Sequence, residues 1–160
     1  MIHKAKAILI ITVSLWGLIG AVQNVIDWNG TIGAVGAVAS MSTIQGGKES
    51  WQATDSTIVI LVGAFFIVAS KLVSASLCAI GGFKMWQAQQ SDIKAYKQAK
   101  ELALTGCAIA IFMLFGGFIV IAESWFELWR SQTMLGPVLQ SAFRYAGMIT
   151  LIAIFVSSKE

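Results

Sequence analysis

The sequence has few charged residues, one proline, one histidine and two cysteines. Only 12% of its 160 residues are charged, whereas 57% are hydrophobic. A soluble domain contains about 25% charged residues, so this chain lacks the polar side chains that would cover a water-soluble globule. The low cysteine content excludes a disulfide-rich secreted scaffold, and the high hydrophobic content excludes a disordered chain. A soluble enzyme is therefore a poor expectation.

The sequence also lacks the motifs of common catalytic and cofactor sites. It contains no P-loop, no dinucleotide-binding fingerprint, no HExxH or CxxC motif and no nucleophile elbow. Its single histidine, His3, lies near the start of the chain and is not part of a Ser–His–Asp set or a multi-ligand zinc motif. We therefore expect a protein that is not an enzyme and that uses no cofactor and no metal.

What the sequence does contain is four long hydrophobic runs. A helix that crosses the hydrocarbon core of a bilayer needs roughly 20 apolar residues, and each run is long enough. The runs predict an all-α membrane protein, an antiparallel four-helix transmembrane bundle that forms a single domain. The spans are expected at about residues 7–26, 56–83, 102–123 and 137–156, joined by connections 27–55, 84–101 and 124–136.

The first run has an alternative interpretation as a cleaved signal peptide, because His3, Lys4 and Lys6 precede it. The run from Ala7 to Ile26 contains no charge and is longer than the apolar region of a typical signal peptide, about 7–15 residues. We therefore expect this segment to remain in the protein as its first span.

The basic residues are distributed unevenly between the two sides of the predicted bundle. The connections 27–55 and 124–136 contain only two basic residues, Lys48 and Arg130. Cytoplasmic loops carry an excess of Lys and Arg, so we expect both termini and the 84–101 connection to be cytoplasmic. This topology explains the net charge of +3 without a nucleic-acid partner. The seven basic residues on the predicted cytoplasmic side are Lys4, Lys6, Lys84, Lys94, Lys97, Lys100 and Lys159.

Small residues recur at three- and four-residue spacing within every predicted span. Such rows allow helix backbones to approach closely inside lipid, and we interpret them as helix-packing surfaces. Cys78 and Cys107 fall at similar depth in the second and third spans, and we expect small buried packing residues there. The rows are Ser14, Gly17, Ala21 and Asn24, then Ser70, Ser74, Cys78 and Gly82, then Ala103, Gly106, Ala110 and Gly117, and finally Ala142, Ala146, Thr150, Ala153 and Ser157.

Lys71 is the first of two basic residues inside the spans, and it lies near the centre of the second one. A lysine at that depth costs about 2.5–3.5 kcal/mol on insertion scales. Two interpretations stay open. Lys71 has a function in the bundle interior or at a partner, or it is a structural residue that extends towards polar groups such as Ser70, Ser74 or Gln23.

Arg144 is the second basic residue inside a span, about a turn from the middle of the fourth. The short 124–136 connection places the end of the third span beside the start of the fourth. We therefore expect a structural ion pair between Arg144 and Glu123.

The two connections on the outer side are rich in glycine and tryptophan. Residues 32–39 form an apolar stretch that predicts a short re-entrant or interfacial helix over the bundle, and thus a structured first outer loop. Trp125 and Trp129 are four residues apart, which predicts a continuation of the third helix with an aromatic face. With Trp51 and Phe126 they form a predicted outer aromatic surface, which is either a membrane anchor or a binding surface.

Short motifs along nearly the entire chain carry a family resemblance. They are Ser40-Met41, Thr43, Trp51-Gln52-Ala53, Leu77-Cys78, Ile80-Gly81, Glu123, Trp125-Phe126, Trp129, Ser131-Gln132 and Ala142-Phe143-Arg144. With these motifs the chain resembles a bacterial family of predicted small integral membrane proteins, domain of unknown function 2165. The resemblance implies four spans but no activity, because the function of that family is itself unknown. We expect the protein in the bacterial inner membrane.

Two functions fit these observations. The favoured hypothesis is binding to another membrane or periplasmic protein, as an accessory subunit of a membrane complex or as an immunity protein against a membrane-acting toxin. The absence of catalytic motifs, the small extramembrane parts and the aromatic surface favour it. The alternative is a small channel or transporter for an anionic solute or ion, in which Lys71 and Arg144 attract the anion together.

Overall fold

The computed structural model of the chain describes residues 2–88 and 92–158, so Lys159 lies outside the described residues. Two helices, Thr57–Ala88 and Ile93–Phe112 with its continuation, extend the second and third spans beyond the predicted membrane boundary. No β-strand occurs in the described ranges, and the predicted all-α class is confirmed. The helices are α1 (Ile2–Ile26), α2 (Trp28–Ala39), α3 (Thr57–Ala88), α4 (Ile93–Phe112, continued in π-helical geometry over Met113–Trp125) and α5 (Ser141–Ser157, preceded by π-helical Leu135–Gln140).

Four helical segments are long and apolar enough to cross a membrane: Ile2–Ile26, Thr57–Ala88, Ile93–Trp125 and Leu135–Ser157. Many large hydrophobic side chains on their outward faces are exposed, among them Leu15, Val62, Phe115 and Leu151. A soluble monomer rarely exposes so much contiguous apolar surface, whereas acyl chains cover it readily in a bilayer. The chain is therefore an integral multi-pass membrane protein in contact with lipid, as its hydrophobic runs predict.

Contacts between distant segments tie each end of the bundle together. At one end the Lys6 Nζ donates a hydrogen bond to the Ser158 carbonyl oxygen at 3.0 Å, which joins the two terminal helices. At the other end Arg130 donates to the Gln45 carbonyl oxygen at 3.3 Å, which joins the first and last long connections. We call these the termini end and the loop end. This pairing is the one that an antiparallel four-helix bundle requires.

From the level of Gly17 to the termini end, small residues hold α3 against both α1 and α4. A Cβ atom on Gly17 would lie 3.2 Å from Cβ of Ala75, and one on Gly106 would lie 2.7 Å from Sγ of Cys78. Ser14 Oγ also donates to the Ala75 carbonyl oxygen at 2.8 Å. Most residues of the predicted small rows are buried, as a packing role requires, but Asn24, Ser70, Gly117, Thr150 and Ala153 are only partly buried and Ser157 is exposed. We call the region from Gly17 to the termini end the termini half and the remainder the loop half.

Cys78 and Cys107 face each other across the contact between α3 and α4. Their Sγ atoms lie 4.0 Å apart, and both side chains are free and fully buried. The Cys78 thiol also lies 3.6 Å from the Ala103 carbonyl oxygen. The two residues sit at the same depth, as predicted, and fill the space between the helices.

The first long connection folds differently from the expected helix over the bundle. Helix α2 begins at Trp28 rather than near residue 32, because the Asp27 carboxylate caps it by accepting from the Gly30 N–H at 3.0 Å. The Trp28 ring packs on Phe65 with centroids 5.0 Å apart, and Val35 lies against Gly63. Helix α2 therefore continues beside α3 towards the loop end instead of crossing above the bundle.

The second long connection also departs from the prediction. The third helix ends at Trp125, and Glu127 adopts a positive φ of 50° that reverses the chain. Leu128–Arg130 then forms a separate short 3-10 turn with Leu128 buried. Because the chain turns between them, Trp125 and Trp129 do not share one helical face, and the predicted continuation of the third helix is wrong.

Candidate functional site

A cavity of about 590 Å³ occupies the loop half of the bundle, between α1, α2, α3 and the last two spans. Both π-helical stretches form part of its wall, and π-helical turns are rare and often accompany functional sites. Ligand pockets typically measure about 300–1,000 Å³ and are mostly apolar with a few polar groups. This cavity has that character, and its largest aromatic lining residues are Trp16, Phe66, Phe118, Phe126 and Tyr145.

Lys71 directs its ammonium into the bundle interior, beside this cavity. A Cβ atom on Gly17 would lie 3.2 Å from the Lys71 carbonyl oxygen, whereas a Cβ atom on Gly20 would lie 3.2 Å from the Lys71 Nζ. The backbone of Lys71 is thus level with Gly17 and its ammonium with Gly20. The Nζ then donates to the Asn24 Oδ1 at 2.6 Å. Helical side chains tilt towards the helix N-terminus, and the N-terminus of α3 lies at the loop end. The ammonium of this half-buried lysine therefore lies closer to the loop end than its own backbone does.

Asn24 is the partner of Lys71, and Thr31 of α2 fixes its orientation. The Thr31 hydroxyl donates to the Asn24 backbone carbonyl oxygen at 3.0 Å, so it has no hydrogen left to give the side chain. It therefore accepts from the Asn24 Nδ2 at 2.9 Å. The amide oxygen is left to face Lys71. A chain of polar contacts consequently links α3, α1 and α2 at the cavity wall.

The expected partners of Lys71 were Ser70, Ser74 and Gln23, and the structure places the contact one residue beyond Gln23. Gln23 lines the cavity but is exposed. Ser74 is fully buried in the termini half, where its carbonyl oxygen lies beside Gly106. Sequence reasoning missed Asn24 as a ligand of the lysine, although an amide inside an apolar span is itself a signal for a polar partner.

Arg144 and Glu123 do not form the expected ion pair. Arg144 is exposed on α5, between the buried residues Ala142 and Ala146, and its Nη2 donates to the Ser141 Oγ at 3.0 Å. The guanidinium thus reaches back along its own helix, towards the loop end, instead of across to Glu123. Arg144 does not line the cavity that contains Lys71, so the proposed anion-attracting pair is not assembled there.

The expected outer aromatic surface is present in part. Trp51 is 79% exposed and its ring meets Trp125 edge to face, with centroids 5.2 Å apart; Trp129 is also exposed. The prediction is wrong for Phe126, which does not belong to this surface because it is only 8% exposed. Its side chain packs in a cluster with Ala39, Met41 and Ile44, which supports the loop beneath the tryptophans.

Among the described residues, no carboxylate, thiol or imidazole lines the cavity, and Lys71 is the one charged side chain in its wall. Across residues 2–88 and 92–158, no three His, Cys, Asp or Glu side chains approach closely enough to hold a metal ion. The arrangement therefore offers one cation, the polar groups of Gln23, Asn24, Thr31, Ser141 and Tyr145, and a mostly apolar wall, which together suit binding of an amphiphilic molecule.

No curated protein and no solved structure matches the chain. A family model described as "Predicted small integral membrane protein (DUF2165)" matches residues 2–159. The chain therefore belongs to this family of predicted small integral membrane proteins, as the resemblance of its motifs implies.

Proposed function

We propose that the protein is a non-enzymatic component of the bacterial inner membrane that works by binding another protein at its loop end. The partner is a membrane complex to which this chain is an accessory subunit, or a membrane-acting toxin that it blocks. The observation that carries the proposal is the exposed Trp51–Trp125 pair, which joins the first long connection to the end of the third span.

The support beneath this pair makes it a prepared binding surface. The Thr54 N–H donates to the Ala39 carbonyl oxygen at 2.8 Å, which anchors the loop that carries Trp51 to the end of α2. Arg130 ties the second connection to the first through Gln45. Surfaces held in place before binding lose less conformational entropy on association, and exposed tryptophans are frequent hot spots of protein interfaces.

The position of the pair defines the kind of partner. Trp125 is the last residue of the third membrane-spanning segment, so the pair lies where the bundle leaves the hydrocarbon core. The excess of basic residues at the termini end predicts that the loop end faces the outside of the cytoplasm. A partner that reaches this level has to be embedded in, or bound to, the same membrane.

Site-specific photo-crosslinking in living cells tests the proposal. We expect a crosslinker at Lys48, which is exposed and lies shortly before Trp51 in the sequence, to give one discrete adduct in the native chain. The adduct should disappear in the Trp51→Ala/Trp125→Ala variant. Exposed substitutions usually change stability by within about 0.5 kcal/mol, so the variant should still insert and fold.

A matched control uses Phe115→Ala, which removes an exposed aromatic side chain from the same helix within its membrane span. This variant should keep the adduct. An adduct that survives loss of both tryptophans, or one that is lost equally in the Phe115 variant, would contradict the proposed surface.

A further inference from the structure

The cavity in the loop half holds a positive charge, and none of the described residues in its wall is acidic. Lys71 is the one charged residue among those that line it, and Asn24 accepts a hydrogen bond from the ammonium at 2.6 Å. A lysine ammonium has three donors, and Asn24 is the one acceptor that the described residues place on it. Charged groups inside a membrane protein normally pair with an opposite charge or face water. An anion in the cavity would supply that opposite charge.

The rest of the wall is suited to hydrocarbon. Aliphatic and aromatic side chains dominate it, including Ile19, Ile67 and Leu114, whereas Asn24 and Thr31 form the polar contacts beside Lys71. A volume of about 590 Å³ is far more than a small inorganic anion needs. The charge and the wall together select an amphiphile, with one anionic group beside the ammonium and an apolar body along the aromatic side chains.

We propose that the cavity binds a long-chain carboxylate, with the carboxylate on the Lys71 ammonium and the hydrocarbon chain against the apolar wall. One cation matches one negative charge, and phosphate groups more often recruit several donors or an arginine fork. Ile19 and Tyr145 line the cavity and are also exposed on the surface of the bundle. A fatty acid dissolved in the bilayer therefore meets the cavity from the side, between α1 and α5.

The chain contains its own reporter for this binding. Of its six tryptophans, Trp16 is the one among the lining residues, and it packs against Tyr145 with ring centroids 5.4 Å apart. The full chain in phosphatidylcholine vesicles is titrated with dibrominated stearic acid, whose bromines quench nearby tryptophan fluorescence. We expect saturable quenching, and Trp16→Phe should remove the saturable component while the other tryptophans still report nonspecific partitioning.

Charge pairing is tested with matched variants and ligands. Lys71→Met should weaken binding by about tenfold to a hundredfold, the range for loss of a charge-assisted hydrogen bond. Arg144→Met removes an exposed cation outside the cavity and should leave the affinity unchanged. The brominated methyl ester, which carries no charge, should bind the native chain as weakly as the acid binds the Lys71→Met variant. The ester comparison needs no variant and holds even if Lys71→Met folds poorly.

Three outcomes would overturn the inference. Quenching that rises without saturation means partitioning into the vesicle, and equal binding of acid and ester means that Lys71 does not pair with the ligand. Saturable quenching by dibrominated phosphatidylglycerol, with none by the fatty acid, would assign the cavity to a bilayer phospholipid instead of a long-chain carboxylate. None of these outcomes affects the tryptophan surface at the loop end, which the crosslinking experiment tests separately.

Discussion

The two halves of the bundle use the same residue type for different purposes. In the termini half, a Cβ on Gly81 would lie 2.7 Å from the Ala103 backbone nitrogen, and one on Gly106 would lie 2.9 Å from the Ser74 carbonyl oxygen. In the loop half, a Cβ on Gly117 would instead meet the Phe66 ring at 3.3 Å. Gly81 and Gly106 thus touch the backbone of the neighbouring helix, whereas Gly117 meets a side chain.

This difference explains why one half is closed and the other contains a cavity. Backbones in contact across Gly81 and Gly106 leave room only for small side chains and thiols between α3 and α4. In the loop half, α1 ends at Ile26 and α2 continues at an offset, while the third helix widens into π-helical geometry. Larger side chains then separate the backbones, and the space between them remains open around Lys71.

The largest expected difference between the two ends is their exposure to opposite sides of the membrane. In a Cys78→Ala/Cys107→Ala background, Lys48→Cys at the loop end should react fully with an impermeant maleimide in intact cells. Lys97→Cys, in the predicted cytoplasmic connection, should react only after the membrane is permeabilised. Both positions are exposed in the structure, so a lack of labelling reports the membrane and not burial. Reversed accessibility would refute the orientation that the basic residues predict.

The second prediction compares glycines of the two halves. Gly106→Ala places a Cβ within 3.0 Å of the Cys78 backbone nitrogen and should lower the free energy of unfolding by about 1–3 kcal/mol, since backbone cannot move aside cheaply. Gly117→Ala meets only the end of the Phe66 ring and should cost less than half as much. Thermal unfolding in one detergent checks both variants. Equal losses would mean that the loop half is packed as tightly as the termini half.

Asn24 allows a third test, confined to the loop half. Asn24→Ala removes the acceptor on the Lys71 ammonium and should destabilise the bundle by about 1–3 kcal/mol, the usual cost of an unsatisfied buried polar group. Asn24→Ala with Lys71→Met should recover much of this loss, because no unpaired ammonium remains. Asn29→Ala, an exposed amide at the start of α2, is the control and should have little effect. If the double variant loses as much unfolding free energy as the two single variants together, Lys71 and Asn24 are not coupled.

The sequence predicts the fold well because the membrane imposes it. Roughly 20 apolar residues in a row have few alternatives to a spanning helix, and the small rows identify the packed faces. The sequence does not predict the cavity, because Gly106 and Gly117 look alike until their neighbours are known. It also does not predict the partner of Lys71, since the side chain carries its ammonium well away from its own backbone level, to Asn24 near the end of α1.

The smallest predicted effect concerns Arg144 and Glu123, which the sequence predicts to form an ion pair and which are not paired in the structure. Arg144 is exposed and bonded to Ser141, and Glu123 forms no ion pair with it. Glu123 is partly buried. Glu123→Ala and Arg144→Leu should therefore each change the free energy of unfolding by less than about 0.5 kcal/mol, the usual limit for a surface residue without a buried partner. Their effects should add within about 0.3–0.5 kcal/mol, as those of uncoupled residues do. A desolvated ion pair would behave differently, because removing one partner alone would cost several kcal/mol and removing both would restore most of it. A double-mutant cycle measured by unfolding in detergent distinguishes the two cases. Strong coupling would mean that Arg144 lies in the bundle interior and pairs with Glu123.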